Sequence, residues 1–394
     1  MKHVFIIDAL RTPVGSLNGI LAEVSAVQLG TIVVKELLRR HPEISTEQID
    51  EVIFGEVLTA GLGQNPSRQV SIYSEISQST PAYTVNMVCG SGMKAIELAW
   101  QSIRTERANI VIAGGMENMS QAPYLLKTLR RGSRMGDTTA IDSMIYDGLW
   151  DIFNQYHMGI TAENIAEKFG VSREAQDQFA YESQMKCAHA FEKGLFHQEI
   201  VPINLETKKG TVVLDKDEHP RPDTTLEKLS KLKPAFKPNG TVTAGNASGI
   251  NDGAAALILV SEDILSKINP AFNPVRIIDI QSMGCAPSYM GLGPIFATRK
   301  LLDKNKLTIN DIDLWEINEA FSAQSIPCIQ QLGMQTDIVN VNGGAIALGH
   351  PIGCSGARIT TTLIYEMQRR KSRKGIATMC IGGGMGISGL FELV

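Results

Sequence analysis

The sequence predicts an α/β protein of two similar halves with a large insertion between them. Three observations carry this. Stretches of the chain recur at offsets of 263 to 271 residues, short apolar runs alternate with amphipathic helices, and the middle of the chain is more charged than its ends. With 394 residues and 43% hydrophobic content, two or three structural units can each bury a core.

The recurrences keep their order. Ile6-Ile7-Asp8 returns as Ile277-Ile278-Asp279, Leu29-Gly30 as Leu292-Gly293, and Ile49-Asp50 as Ile312-Asp313. Ser91-Gly92-Met93-Lys94 corresponds to Ser355-Gly356-Ala357-Arg358, and Ile112-Ala113-Gly114-Gly115-Met116 to Ile381-Gly382-Gly383-Gly384-Met385. In the first copy Val4–Ile7, Val52–Val57, Thr84–Val88 and Ile110–Ala113 are short and β-branched, which reads as buried strands. Met93, Ile96, Ala99, Trp100 and Ile103 fall at helical spacing. Such alternation predicts a mostly parallel sheet covered by helices in each half.

The first half is expected over residues 1–118, completed by about 250–270, and the second over 271–394. Between them, residues 119–249 hold 33 charged side chains in 131, against 45 in the other 263. This segment has the basic run Lys127–Arg134 and one strong helix, Arg173–Lys193. A solvated loop domain of this size is expected to carry binding function.

Composition narrows the function classes. A net charge of −4 argues against a nucleic-acid or anionic-membrane surface. The six cysteines form no CxxC pair, so no structural zinc site or dithiol motif is signalled, and a reduced cytoplasmic setting is expected. Asp8 and Arg11 end the first apolar run before an export signal can form. The uncharged stretch Ile338–Ala357 holds too many Gly, Asn, His and Pro residues for a membrane span.

The chemistry-bearing residues sit at expected strand ends. Cys89 follows the strand Thr84–Val88 and precedes the helix opening at Gly90-Ser91-Gly92. A thiol there meets unsatisfied N–H groups that favour thiolate, although most free cysteines are simply buried. Cys380 ends the strand Ile376–Ile381 and runs into Gly382-Gly383-Gly384, a tight turn or a weak phosphate cradle without a P-loop lysine. That turn matches Gly114-Gly115, so two turns are expected along the same sheet edge. His350 lies in a Gly-rich loop, where a structural histidine competes with a base. Asn318-Glu319-Ala320-Phe321 follows the strand Leu314–Ile317. Four such groups along one edge favour a ligand site. Cys187, Cys285, Cys328 and Cys354 read as packing.

These residues resemble a known family. Asn86-Met87-Val88-Cys89-Gly90-Ser91-Gly92, Asn318-Glu319-Ala320-Phe321, Asn342-Gly343-Gly344-Ala345 with Gly349-His350-Pro351-Ile352-Gly353, and Cys380-Ile381-Gly382-Gly383-Gly384 are similar to the four active-site signatures of thiolases. Tyr156-His157-Met158-Gly159, Ala244–Gly249 and Tyr289-Met290-Gly291 are most similar to the biosynthetic acetyl-CoA acetyltransferases within it. Met87 and Met385 depart from the usual pattern.

The resemblance implies duplicated halves with mixed five-stranded sheets, layered α-β-α-β-α. It implies that Cys89 carries an acetyl group, that His350 activates it, and that Cys380 moves the α-proton of a second acetyl-CoA. Asn318 would hold a water beside His350, and the N–H groups of Cys89 and Gly382 would form an oxyanion hole. His157, Met158, Arg221, Ser248, Ala320 and Phe321 would meet coenzyme A, although Met158, Ala320 and Phe321 equally suit core packing. No metal or resident cofactor is implied; acetyl-CoA, acetoacetyl-CoA and CoA are the partners. A homotetramer, a dimer of dimers paired through the Lys127–Arg134 loop, is expected. The rivals are a degradative 3-ketoacyl-CoA thiolase with the same catalytic residues and an inactive acyl-CoA-binding scaffold. The scaffold reading predicts loss of Cys89, Asn318, His350 or Cys380, and all four are present.

Overall fold

A computed structural model describes residues 1–207 and 210–394. Nine strands dominate it: β1 (Val4–Arg11), β2 (Glu51–Gly55), β3 (Ala82–Val85), β4 (Ile110–Asn118), β5 (Asn251–Ser261), β6 (Val275–Gly284), β7 (Leu314–Ile317), β8 (Lys374–Ile381) and β9 (Met385–Leu393). Their order is β7-β8-β9-β6-β1-β5-β4-β2-β3. Among the described residues, the two halves of this array pair at Phe5 with Arg276 and at Ile6 with Val275.

The pairing is mixed rather than mostly parallel. β2 runs parallel to β3 and β4, and β7 to β8, but the other neighbours are antiparallel. Two features reverse the direction. β5 returns from the insertion to lie between β1 and β4, and the triple glycine folds β9 back along β8. The first half therefore has β1-β5-β4-β2-β3. The second has β6-β9-β8-β7, with a single bridge between Trp315 and Val339 at the fifth position.

The recurring residues are local devices used twice. At Ile6-Ile7-Asp8 and at Ile277-Ile278-Asp279 the strand register shifts by a bulge, and each aspartate Oδ1 accepts the next residue's N–H, Ala9 at 2.8 Å and Ile280 at 2.9 Å. Asp50 accepts the N–H groups of Asn109 and Ile110 as β4 begins, and Asp313 that of Lys374 as β8 begins. One matched pair differs. Gly114-Gly115 is not a turn but the middle of β4, paired with Ala256 and Ala255. Glycine is needed there for closeness: a Cβ on Gly114 would lie 2.2 Å from Ala255 O, and on Gly115 2.3 Å from Gly353 O.

Helices cover the sheets and separate them. The main ones are α1 (Ala26–Arg40), α2 (Ser91–Arg104), α3 (Met158–Phe169), α4 (Arg173–Glu192), α5 (Gly293–Asn305), α6 (Ser322–Leu332) and α7 (Ser355–Arg370). α7 is buried on every residue from Ser355 to Met367, as only a helix packed on all sides can be. It shares one apolar core with α2 and with one face of both half-sheets. α1 packs on the outer face of the first half and α5 on that of the second, giving five layers. The starts of α2 and α7 touch backbone to backbone: a Cβ on Gly356 would lie 2.3 Å from Met93 N, and on Gly92 2.8 Å from Ala357 N. That contact brings the two chemistry-bearing turns together. The insertion supplies α3 and α4, while its Lys127–Arg134 run is exposed throughout.

Candidate active site

The Cys89 turn is set by backbone strain and one serine. After β3 the chain bends through Asn86–Gly90, and Val88 adopts φ +48°, which a β-branched residue rarely tolerates. Ser91 Oγ accepts the Met87 N–H at 2.8 Å and donates to the Val88 carbonyl at 2.6 Å, holding the bend. Cys89 emerges half-buried just before α2, with the N–H groups of Gly382 and of Cys89 itself directed at its sulfur. The expected thiolate is not favoured. Burial pushes this thiol up to about 11, outweighing both N–H groups.

Cys380 is the penultimate residue of β8 and is fully buried. The turn that follows requires glycine, since Gly383 and Gly384 take φ +84° and +88°. Burial pushes the Cys380 thiol well above its ordinary value, with Cys89 a second cause. The same burial makes its thiolate a strong base once formed.

His350 sits in the loop between Gly349, at φ +100°, and α7. Its backbone N–H donates to Asn251 Oδ1 at 2.9 Å. Its Nδ1 lies 2.5 Å from Ser355 Oγ, and its Nε2 3.4 Å from Asn318 Nδ2. Burial, with the Arg358 charge second, pushes the imidazole down to about 3, so it is neutral. Asn318 directly follows β7 and is anchored through its N–H to the Thr378 carbonyl at 2.9 Å. Its buried Oδ1 has no hydrogen-bond partner among the described residues.

A cavity of about 450 Å³ collects these groups. Cys89, His350, Cys380 and Gly382 line it, whereas Asn318 stands behind His350. His157, Met158, Arg221, Ser248, Ala320 and Phe321 line the same cavity. Met158, Ala320 and Phe321 are at once cavity wall and part of a buried apolar cluster. His157 caps α3, accepting the Gly159 N–H at 3.0 Å, and stacks on Phe236 with ring centroids 4.7 Å apart. Met87 and Met385 pack against the central core and do not line the cavity. Cys187, Cys328 and Cys354 are buried, and Cys285 half-buried.

Three supporting residues were not singled out from the sequence. Ser355 and Asn251 hold His350. Glu117 accepts the N–H groups of Val57, Leu58 and Gly353 at 3.1, 3.0 and 2.8 Å, tying the His350 loop to the first half. Burial pushes its carboxyl up to about 7. The match of Ser355 with Ser91 was a visible signal for the first; Asn251 and Glu117 had none, because their partners are distant in sequence.

Among the described residues no cluster of three or more His, Cys, Asp or Glu is arranged to hold a metal, and no helix is long and apolar enough to cross a membrane. The chain matches the thiolase N-terminal domain over residues 4–263 and the thiolase C-terminal domain over 273–393. It is 52% identical to an acetyl-CoA acetyltransferase of Pseudomonas aeruginosa over 98% of each chain. The Bacillus anthracis acetyl-CoA acetyltransferase structure superimposes with a TM-score of 0.96 at 41% identity, covering 100% of this chain and 99% of that one. Human mitochondrial 3-ketoacyl-CoA thiolase does so with the same score and coverage at 42% identity. With both domains matched along nearly the whole length and the fold shared throughout, the chain belongs to the thiolase family.

Proposed function

We propose that the protein is an acetyl-CoA C-acetyltransferase, converting two acetyl-CoA into acetoacetyl-CoA and coenzyme A, reversibly and by a ping-pong course. One observation carries the reading. Two cysteines, a neutral buried histidine and two sulfur-directed N–H groups meet on a cavity whose wall also holds the six residues expected to contact coenzyme A.

Cys89 attacks the thioester carbonyl of the first acetyl-CoA. Its proton passes to His350 as the carbon–sulfur bond forms, because thiol and imidazole are both neutral at rest. The developing oxyanion is held by the N–H groups of Cys89 and Gly382. Coenzyme A leaves as a thiol, taking its proton from Cys380, whose thiolate then removes a methyl proton from the second acetyl-CoA. His350 and an Asn318-held water stabilise that enolate. The carbanion attacks acetyl-Cys89, acetoacetyl-CoA forms, and Cys89 recovers its proton from His350. Thioester exchanges for thioester in the first stage, so the step is nearly balanced.

The same reading takes the enzyme as a cytoplasmic homotetramer of lipid metabolism, with coenzyme A thioesters as its partners and no resident cofactor. Incubation with acetyl-CoA should add one acetyl mass at Cys89 alone; a label on Cys380 or Cys354 overturns the assignment. The likeness to human mitochondrial 3-ketoacyl-CoA thiolase supports a second reading, degradation of longer 3-ketoacyl-CoA. Steady-state rates across chain lengths in both directions separate the two.

A further inference from the structure

We propose that Ser355 is a positioning residue for the reaction: its hydroxyl keeps the imidazole proton of His350 on Nδ1, leaving Nε2 as the nitrogen that receives the Cys89 proton. The proposal rests on the reading above that His350 is the base.

Donors and acceptors around the Ser355 hydroxyl decide the tautomer. Ser355 is fully buried at the start of α7, and its Oγ has two close partners, His350 Nδ1 at 2.5 Å and the Pro351 carbonyl at 2.8 Å. A carbonyl only accepts, and a hydroxyl carries a single proton. That proton therefore goes to Pro351, and the contact with Nδ1 is attractive only if Nδ1 is the donor. The imidazole is neutral, so Nε2 then carries a lone pair. Its neighbour has the right polarity for this, since Asn318 presents Nδ2 toward Nε2.

Among the described residues, no other contact of the His350 ring enforces that tautomer. The Asn318 side chain can present either end of its amide, and its Oδ1 has no partner in the present orientation. Turned over, it would accept a proton from Nε2 and favour the tautomer that cannot act as a base there. The His350 backbone is held separately by Asn251, so the loop does not need Ser355 for its path. The matching residue of the first half makes the same two-sided contact: Ser91 Oγ accepts from the Met87 N–H and donates to the Val88 carbonyl. The second half presents an imidazole N–H where the first presents a backbone N–H.

The competing explanation is purely structural. A serine that begins a helix often donates to a nearby carbonyl, and such a bond needs no tautomer. The two differ in their outcome on Ser355→Ala. The Pro351 carbonyl keeps the Ser355 backbone N–H, at 2.9 Å, so it is not orphaned by the substitution.

The test uses the full-length enzyme labelled with ¹⁵N-histidine. Loss of one set of resonances in His350→Ala assigns His350 among the seven histidines. The expected wild-type spectrum shows Nδ1 as a protonated, pyrrole-type nitrogen and Nε2 as a pyridine-type one. In Ser355→Ala the pattern should reverse or average, and the rate of Cys89 acetylation should fall by at least ~10-fold and at most the ~10²–10⁴ that a general base supplies. KM for acetyl-CoA should change little, because Ser355 does not line the cavity. A wild-type spectrum with Nε2 protonated overturns the proposal, whatever becomes of the variant's fold. So does a folded Ser355→Ala with unchanged tautomer and rate. If His350→Ala itself acetylates at the wild-type rate, the base assignment fails instead, and the two failures are told apart.

Discussion

Cys380→Ala separates the roles of the two thiols. The substitution removes one fully buried sulfur and no charge, at a stability cost of ~1 kcal/mol, so the variant stays folded. The acyl-transfer apparatus survives it: Cys89, His350 and the N–H groups of Cys89 and Gly382 are untouched. Carbon–carbon bond formation loses its base, and three other groups on the cavity are already committed. His157 Nδ1 already accepts the Gly159 N–H, His350 is bound between Ser355 and Asn318, and Cys89 carries the acyl group. Acetoacetyl-CoA formation should therefore fall by ~10²–10⁴-fold, while Cys89 still becomes acetylated, more slowly because the departing coenzyme A has lost its proton donor. The assay is acetyl-enzyme by mass spectrometry beside acetoacetyl-CoA formation, both against wild type. Synthesis near wild type with acetylation lost would require the two cysteines to exchange roles.

Three further outcomes follow from the structure. With its thiol pushed up to about 11, Cys89 should be alkylated by iodoacetamide at a rate that keeps rising with pH past 9, since only about 10⁻⁴ of it is thiolate at pH 7; a plateau below pH 8 would mean a resting ion pair with His350. Gly356→Ala puts a Cβ 2.3 Å from the Met93 backbone nitrogen, so α2 and α7 must part at a cost of ~2 kcal/mol or more in urea unfolding. A loss under ~0.5 kcal/mol would refute the close-approach argument. If the proposed tetramer pairs through the exposed Leu129–Arg134 segment, deleting that segment should leave dimers by light scattering; tetramers that persist count against a pairing role for that loop.

Much of the fold could be read because repetition and periodicity are local. The bulge aspartates Asp8 and Asp279, the strand-starting Asp50 and Asp313, and the serines Ser91 and Ser355 that open α2 and α7 all act within a few residues or on an adjacent strand, so their pattern survives in the linear text. The four signature segments placed Cys89, Asn318, His350 and Cys380 at chain bends for the same reason. Strand direction could not be read this way. Whether β5 runs with or against β4 depends on how the chain returns from residues 119–249, and periodicity along a strand is the same in either case. The glycines of β4 illustrate the same point, since they exist for contacts with Ala255 and Gly353 and only resemble a turn.

Protonation was the least legible property. A thiol before a helix suggests a thiolate, and a histidine in a glycine loop suggests an ordinary imidazole, yet burial raises the one to about 11 and lowers the other to about 3. Desolvation is a property of everything packed around a group, and no short window of residues contains it. The order of the chemical groups is thus written in the chain, while their charge, their tautomer and the cavity they share arise only when the two halves and the insertion pack together.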